Sequence, residues 1–453
     1  MPRWERVDLP STSCLDGSPA AFFYRRPIAG SNSTTTKFVL YLEGGGWCFS
    51  PVDCVARTQT DVGTSSNYPS TSRAPGGGAG YFYDPAGNPS TGTEFMDGAV
   101  VHLKYCDGAS FAGSSRIKVL ADYEQLQMGK RELPEGSRAT VTFGGRAILE
   151  AALTVLMSPE RPFGMRHATH VLLSGCSAGG LAALLSAEVV RQRVVQYGAP
   201  LRHFKVAVFS GVFYSPESSP YTQQMRALFE MANMSAPQAC TRSSRFNAEP
   251  WRCVLGLQPL EALPPDIPVF IEQSALDRWQ TGCVLGAAHS RFEAVRCSAD
   301  EWDGCLRYFR PLRPRGHSCS NSQLGALDSF SQEFLGSLTA LPRLKRPGSG
   351  AFIHGCHSHC PGRMAKYVVD GTSMETAMLN WWRAPSDTPA AANTFVGCLT
   401  AWSNDTSLSR CRPACSALYA WPDDRRKRAE RIRSAEIAVY GRASKELLLV
   451  LRR

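Results

Sequence analysis

The sequence predicts an α/β fold with a mostly parallel central sheet, helices on both faces and disulfide-tied insertions. Three observations predict it. Apolar runs of strand length recur along the chain between helix-like segments, the alternation that βαβ units require. Some of these runs stop abruptly at glycine turns. Sixteen cysteines are scattered through 453 residues rather than grouped as repeated C-x-x-C pairs, which reads as a disulfide framework in an oxidising compartment.

The elements follow in chain order. Lys37 to Leu42 (KFVLYL) is β-rich and ends at Glu43-Gly44-Gly45-Gly46, a strand feeding a glycine turn. Residues 58 to 80, rich in Thr, Ser, Pro and Gly, read as a loop. Val100 to Lys104 is a second strand candidate, and Arg146 to Met157 has helical composition before a Ser-Pro pair. The clearest unit is next. Thr169 to Leu173 reads as a strand, Ser174 to Gly179 as a tight turn, and Gly180 to Gln192 as a helix rich in Ala, Leu and Val. Lys205 to Phe209 and Ile267 to Ile271 complete the strand set. The expected organisation is one catalytic domain over residues 1–422, with cap-like insertions near 212–265 and 278–350 that carry cysteines. Residues 423–453 are expected to form a basic tail of helical character.

Composition narrows the function classes. A chain that is 43% hydrophobic has ample material for a large core, and Gly 39 with Pro 30 indicates long surface loops rather than disorder. The formal charge is +10, but ten Lys or Arg against five acids fall in the last 31 residues, beginning Asp423-Asp424-Arg425-Arg426-Lys427-Arg428. Few aromatics interleave there, so a solvated helix is expected rather than a nucleic-acid surface, with attraction to an acidic polymer as the second reading. No stretch approaches 18 consecutive apolar residues, so no transmembrane span is expected. Residues 1–10 lack an apolar leader core, which sits awkwardly with an exported, disulfide-bonded chain. Asn32, Asn233 and Asn404 fit the glycosylation pattern, at a frequency near chance.

The chemistry concentrates at Gly175-Cys176-Ser177-Ala178-Gly179, a G-x-S-x-G match between a strand and a helix. Such a sharp turn lifts a serine hydroxyl above the sheet, and its small flanking residues avoid a clash. Ser177 is therefore the expected nucleophile of an α/β-hydrolase-like site; the bland alternative is a serine in a turn. Gly44-Gly45-Gly46-Trp47 follows an upstream strand, where glycine lets backbone N–H groups approach an oxyanion. The Ala178 amide, at the start of a helix, would add a donor. Acid and base should come later, in the order Ser, Asp/Glu, His. Asp277 fits just after the strand Pro268 to Ile271, and Glu272 competes from within the strand. For the base, His354, His357 and His359 crowd into one segment, and the residues alone barely rank them. Cys356, His357, His359 and Cys360 are also metal-ligand types, but four ligands in five residues wrap one tetrahedral zinc poorly. No metal is expected.

Longer matches carry a family resemblance. They are Leu42-Glu43-Gly44-Gly45-Gly46-Trp47-Cys48, Ser65-Ser66-Asn67-Tyr68, Tyr105-Cys106-Asp107-Gly108-Ala109-Ser110-Phe111, Leu173 to Gly180, Leu276-Asp277-Arg278-Trp279-Gln280 and Cys356-His357-Ser358-His359-Cys360. With them the chain resembles the pectin acetylesterase family, which also includes the Notum-type carboxylesterases that deacylate lipidated Wnt proteins. The forms GGGWC, GCSAGG and YCDGASF are more similar to the plant-type members. The resemblance implies Ser177, Asp277 and His359 as nucleophile, acid and base, an oxyanion hole around Gly46, Trp47 and Ala178, secretion, disulfides and no cofactor. It implies acetylated pectin as substrate and two-step acyl transfer. The extra histidines at 354 and 357 and the basic tail depart from the family pattern. Two rivals stand beside this reading. One is an esterase for another acyl group, on a protein or a non-pectic glycan; the other is an inactive glycan-binding homologue. The chain is expected to be monomeric, with no nucleic-acid partner.

Overall fold

The computed structural model describes residues 4–27, 36–72, 98–120, 138–217, 219–285, 320–360, 364, 367–369 and 371–396. The basic segment 423–453, much of the second insertion, Asn32 and Asn404 lie outside these residues.

Fourteen strands are defined among the described residues. They are β1 (Trp4–Leu9), β2 (Ala20–Arg25), β3 (Lys37–Leu42), β4 (Thr71–Ser72), β5 (Ala99–Leu103), β6 (Ser115–Leu120), β7 (Arg138–Phe143), β8 (His170–Cys176), β9 (His203–Phe209), β10 (Val269–Ser274), β11 (Gly350–His354), β12 (Val368–Val369), β13 (Thr372–Ser373) and β14 (Thr394–Val396). Ten of them form one sheet in the order β14-β11-β10-β9-β8-β3-β5-β2-β1-β4. Every pair from β14 through β5 is parallel, while β2, β1 and β4 add an antiparallel edge. The expected strands are all present. The edge pair β1–β2 is an addition; β1 is hidden from the apolar-run pattern because WERVDL carries three charges in six residues, whereas β2, AAFFYR, is a buried apolar run.

Side chains leave the sheet alternately, as the two-residue period requires. Phe38, Leu40 and Leu42 of β3 enter one core with Val171 and Leu173 of β8. That core also takes Ile148, Leu149 and Leu153 from α2 (Gly145–Met157) and Leu181 and Leu184 from α3 (Ala178–Gln196). Val39 and Tyr41 enter the opposite core with Leu172, Phe209, Phe270 and Phe352, under Met374, Met378 and Trp381 of a C-terminal helix, Met374–Arg383. Lys205 on β9 is buried and its Nζ donates to the carbonyls of Trp381, Trp382 and Ala384 at 3.0, 3.0 and 2.7 Å. A cation there satisfies the orphan carbonyls at the end of that helix and pins it to the sheet. Both faces are thus covered, as a parallel sheet demands.

Disulfides fasten the loops to this frame. They join Cys14 to Cys106, Cys48 to Cys54, Cys176 to Cys360 and Cys240 to Cys253; Cys283 and Cys356 are disulfide-bonded as well. The first insertion carries the helix Pro220–Ala232 and the Cys240–Cys253 bond. The described part of the second carries the helix Asn321–Ala340, whose Phe330 and Phe334 pack on Tyr214.

Candidate active site

Because β3, β8, β10 and β11 run parallel, the loops after their C-terminal ends share one edge of the sheet, where α/β folds place their sites. Gly46, Trp47, Ser177, Asp277, His357 and His359 lie at or beyond those ends, whereas the competing Glu272 and His354 lie within β10 and β11. The strand-to-helix turn is tighter than its sequence suggests. Residues Ser174 to Gly179 read as a turn, but β8 continues through Cys176 and α3 begins at Ala178, leaving Ser177 alone between them. Ser174 pairs with Tyr41 and Ala207 in the middle of the sheet, and that pairing overrides its turn propensity. Ser177 has φ 58 and ψ −130, a left-sided conformation that a non-glycine residue holds only when its surroundings over-determine it. Its N–H donates to Phe209 O at 3.0 Å, and its carbonyl accepts from Leu181 at 3.0 Å. The flanking glycines are obligatory, since a Cβ on Gly175 would lie 2.2 Å from Gly179 O.

The glycine turn after β3 runs against this serine. A Cβ on Gly44 would meet Cys176 O at 2.1 Å and Ser177 Cβ at 2.9 Å, while Gly46 adopts φ +69. Among the described residues, the N–H groups of Gly46 and Trp47 have no protein acceptor. Trp47 is buried and its indole N–H donates to Ser110 Oγ at 2.8 Å.

Asp277 and His359 are brought together. Asp277 is fully buried after β10; its Oδ1 accepts from Gln280 N at 2.9 Å and its Oδ2 lies 2.8 Å from His359 Nδ1. An ionised carboxylate only accepts, so Nδ1 carries the hydrogen and Nε2 is left with its lone pair. The Asp277 and His359 loops are stitched together by backbone bonds, from Arg278 N to Ser358 O at 3.2 Å and from Ala275 N to His354 O at 2.8 Å. Ser274 Oγ adds a bond to Cys356 O at 2.6 Å.

The His359 loop is also bound to the serine turn. Cys360, next to His359, is disulfide-bonded to Cys176, next to Ser177, with 5.8 Å between their Cα atoms. Cys360 N also donates to Ser210 Oγ at 3.1 Å, while Ser177 N bonds the preceding residue, Phe209. Two one-residue steps of 3.8 Å added to 5.8 Å put the Cα atoms of Ser177 and His359 within about 13 Å of each other.

The competing residues have other partners. Glu272 and His354 are paired with each other, Oε1 to Nε2 at 2.8 Å, and both are sealed from solvent. His357 lies 3.1 Å from Thr281 Oγ1 through Nε2. Cys356 and Cys360 are both oxidised in disulfides, which takes away the thiolates a metal would use.

Four aromatic rings wall the site. Trp47, Phe213, Tyr221 and Trp279 contact one another in every pairing, with centroids 5.0 to 6.3 Å apart. Trp279 also lies 6.5 Å from the His359 ring. Sequence reasoning does not find this cluster, although Trp47 and Trp279 both lie inside quoted motifs; Phe213 and Tyr221 carry no local signal.

A positive-φ serine between a parallel strand and its helix, faced by a glycine turn, is the architecture of the α/β-hydrolase-like ester hydrolases. The chain belongs to the pectinacetylesterase family, whose profile matches residues 6–390. It is similar to pectin acetylesterase 5 of Arabidopsis thaliana, 30% identical over 77% of this chain and 70% of that one. It is also similar to the human palmitoleoyl-protein carboxylesterase NOTUM, 23% identical over 89% of this chain and 71% of that one. Among solved structures, the Wnt deacylase Notum from Drosophila shares the fold, with a TM-score of 0.59 at 22% identity, covering 84% of this chain and 93% of that one. The protein is an ester-hydrolysing enzyme.

Proposed function

We propose that the enzyme removes acetyl groups from acetylated pectin through an acyl-enzyme on Ser177, with His359 as base and Asp277 as the acid that orients it. The observation that carries this reading is the 2.8 Å bond from His359 Nδ1 to Asp277 on a loop disulfide-bonded to the residue before Ser177. His359 Nε2 takes the Ser177 proton as Oγ attacks the ester carbonyl. The N–H groups of Gly46, Trp47 and Ala178 receive the oxyanion, an interaction typically worth about 3–4 kcal/mol per donor. The imidazolium, stabilised by Asp277, returns the proton to the sugar oxygen as the C–O bond breaks. Water, deprotonated by the same nitrogen, then attacks the acyl-enzyme, and acetate leaves as Ser177 recovers its proton.

A short acyl group is favoured by the four rings beside the site. They pack against one another with Trp279 beside the His359 ring, and a methyl group asks for little room next to such a cluster. The formal charge of +10 favours an anionic polymer such as polygalacturonate. The disulfide framework supports an extracellular or cell-wall location. The test is acetate release from acetylated pectin, measured beside acetylated xylan and an acylated peptide. Preference for pectin supports the reading; equal or greater release from either control removes pectin as the substrate.

A further inference from the structure

Arg57 is the last residue of the helix Pro51–Arg57, directly after the glycine turn. Its guanidinium is spent on backbone carbonyls. Nη2 donates to Gly45 O in the shortest of its bonds and to Gly46 O at 3.4 Å, Nη1 to Trp47 O at 3.4 Å, and Nε to Val62 O at 3.2 Å. Tyr105 closes the same cage, its hydroxyl donating to Gly46 O at 2.8 Å and its ring lying 5.6 Å from the Arg57 guanidinium carbon. The Cys48–Cys54 disulfide ties the end of the turn to this helix.

The geometry of the peptide unit turns these contacts into a prediction about the other side of the turn. Gly45 C=O shares its peptide plane with Gly46 N–H, and Gly46 C=O shares its plane with Trp47 N–H. In a trans peptide the two groups point in opposite directions, and the described backbone contains no cis bond. Carbonyls held by Arg57 and Tyr105 therefore direct the Gly46 and Trp47 N–H groups away from that cage. The neighbouring positions show the turn lying between two walls. A Cβ on Gly45 would strike Tyr105 at 2.7 Å and approach Arg57 at 3.2 Å, whereas a Cβ on Gly44 would strike Ser177. A cation on the carbonyl end of a peptide also polarises its N–H and strengthens it as a donor.

We infer that Arg57 is a positioning residue for oxyanion stabilisation, acting through the Gly45 and Gly46 carbonyls to fix and polarise the Gly46 and Trp47 amides. The inference rests on the proposed role of those amides at Ser177. It is tested with Arg57→Ala, Arg57→Lys and Tyr105→Phe, by steady-state turnover of 4-nitrophenyl acetate and by the affinity of a boronic acid that forms a tetrahedral adduct. Losing one oxyanion donor outright costs about 10²–10³ in kcat, so a loosened turn should cost about 10- to 100-fold, with KM little changed. Boronate affinity should fall in step with kcat/KM. Tyr105→Phe should show the same pattern at smaller size, and millimolar guanidinium should restore part of the Arg57→Ala loss. A merely structural arginine would lower stability while sparing boronate affinity. Should Arg57→Ala fail to fold, Arg57→Lys and Tyr105→Phe decide the matter on the same two readouts. Parental kcat and boronate affinity in the folded variants, or a rise in KM alone, would overturn the inference. Ser177→Ala separates this from failure of the reading beneath it. Turnover surviving in Ser177→Ala removes the nucleophile; a dead Ser177→Ala beside unaffected Arg57 variants removes only the role of Arg57.

Discussion

Two histidine–carboxylate pairs lie side by side between β10 and β11 and their loops, each with partners 82 residues apart and 2.8 Å between the bonded atoms. They differ in how their protons are committed. His354 Nδ1 accepts from Cys356 N at 3.2 Å, so its hydrogen is on Nε2 and donates to Glu272. Glu272 Oε2 in turn accepts from Ser210 N at 3.0 Å. Both histidine nitrogens are used, and the pair is 1% and 0% exposed. His359 donates through Nδ1, has no partner at Nε2 among the described residues, and is 18% exposed above a fully buried Asp277. The same two functional groups therefore make a closed brace in one place and an open proton acceptor in the other. Burial and tautomer, rather than residue type, separate them.

The largest effects should fall on opposite observables. Asp277→Asn is expected to keep the fold and lower kcat by about 10⁴, because the amide favours the wrong imidazole tautomer. Glu272→Gln should instead cost about 1–3 kcal/mol of stability, since the glutamine NH₂ would confront the His354 N–H in a sealed site. Turnover and urea unfolding measured on both variants check this. A Glu272→Gln enzyme of parental stability that loses activity as fully as Asp277→Asn would exchange the two assignments.

The disulfide between Cys176 and Cys360 keeps the open pair near the serine turn, across 184 residues of sequence. Replacing both cysteines with serine should cost about 2–5 kcal/mol of stability. Activity measured well below the unfolding midpoint should also fall, because the His359 loop loses its fixed attachment beside Ser177. Unchanged turnover would show that the backbone bonds of Cys360 and Arg278 suffice.

How much of this is legible in sequence follows from range. The buried parallel strands are legible because they are continuous apolar runs. The turn at Ser177 is legible because its glycines form a local pattern between strand and helix, even though Gly179 is also crowded by the distant Leu42 O, at 2.1 Å from an added Cβ. The residues place Asp277 ahead of Glu272 as the acid by a narrow margin and barely rank the three histidines. Asp277 and Glu272 both sit near the end of one strand, and three histidines crowd one loop. Their ranking depends on a sheet register, with Ser274 opposite His354, that no local pattern encodes. The Phe213 and Tyr221 rings and the Arg57 cage are invisible for the same reason. An arginine on backbone carbonyls has no partner type to search for.

Ring packing gives a smaller and more selective effect. Trp279→Ala removes one member of the four-ring cluster and opens space beside His359. Each methylene accommodated in an apolar pocket is worth about 1–3 kcal/mol, so with two added methylenes the ratio of butyryl to acetyl ester turnover should rise by about tenfold or more. Comparing 4-nitrophenyl acetate, butyrate and octanoate measures it; an unchanged ratio would place acyl discrimination elsewhere.

The smallest expected effect concerns a buried carboxyl, Asp107, that has no imidazole beside it among the described residues. Burial pushes Asp107 up to about 7, against the opposing influence of the Phe111 and Ala109 N–H groups and the charge of Arg57. The folded value lies above the unfolded one of 3.8, so the folded chain binds the extra proton and stability declines as pH rises between them. The Asn variant lacks this titration. Integrating the linkage relation from pH 6 to 8, the parent should lose about 1.4 kcal/mol relative to Asp107→Asn. Unfolding midpoints of the two proteins should accordingly diverge by about 2 °C over that interval in a chain of this size. Parallel pH profiles would mean that Arg57 and the nearby amides offset burial and hold Asp107 ionised, so that burial alone does not set a carboxyl's proton in this core.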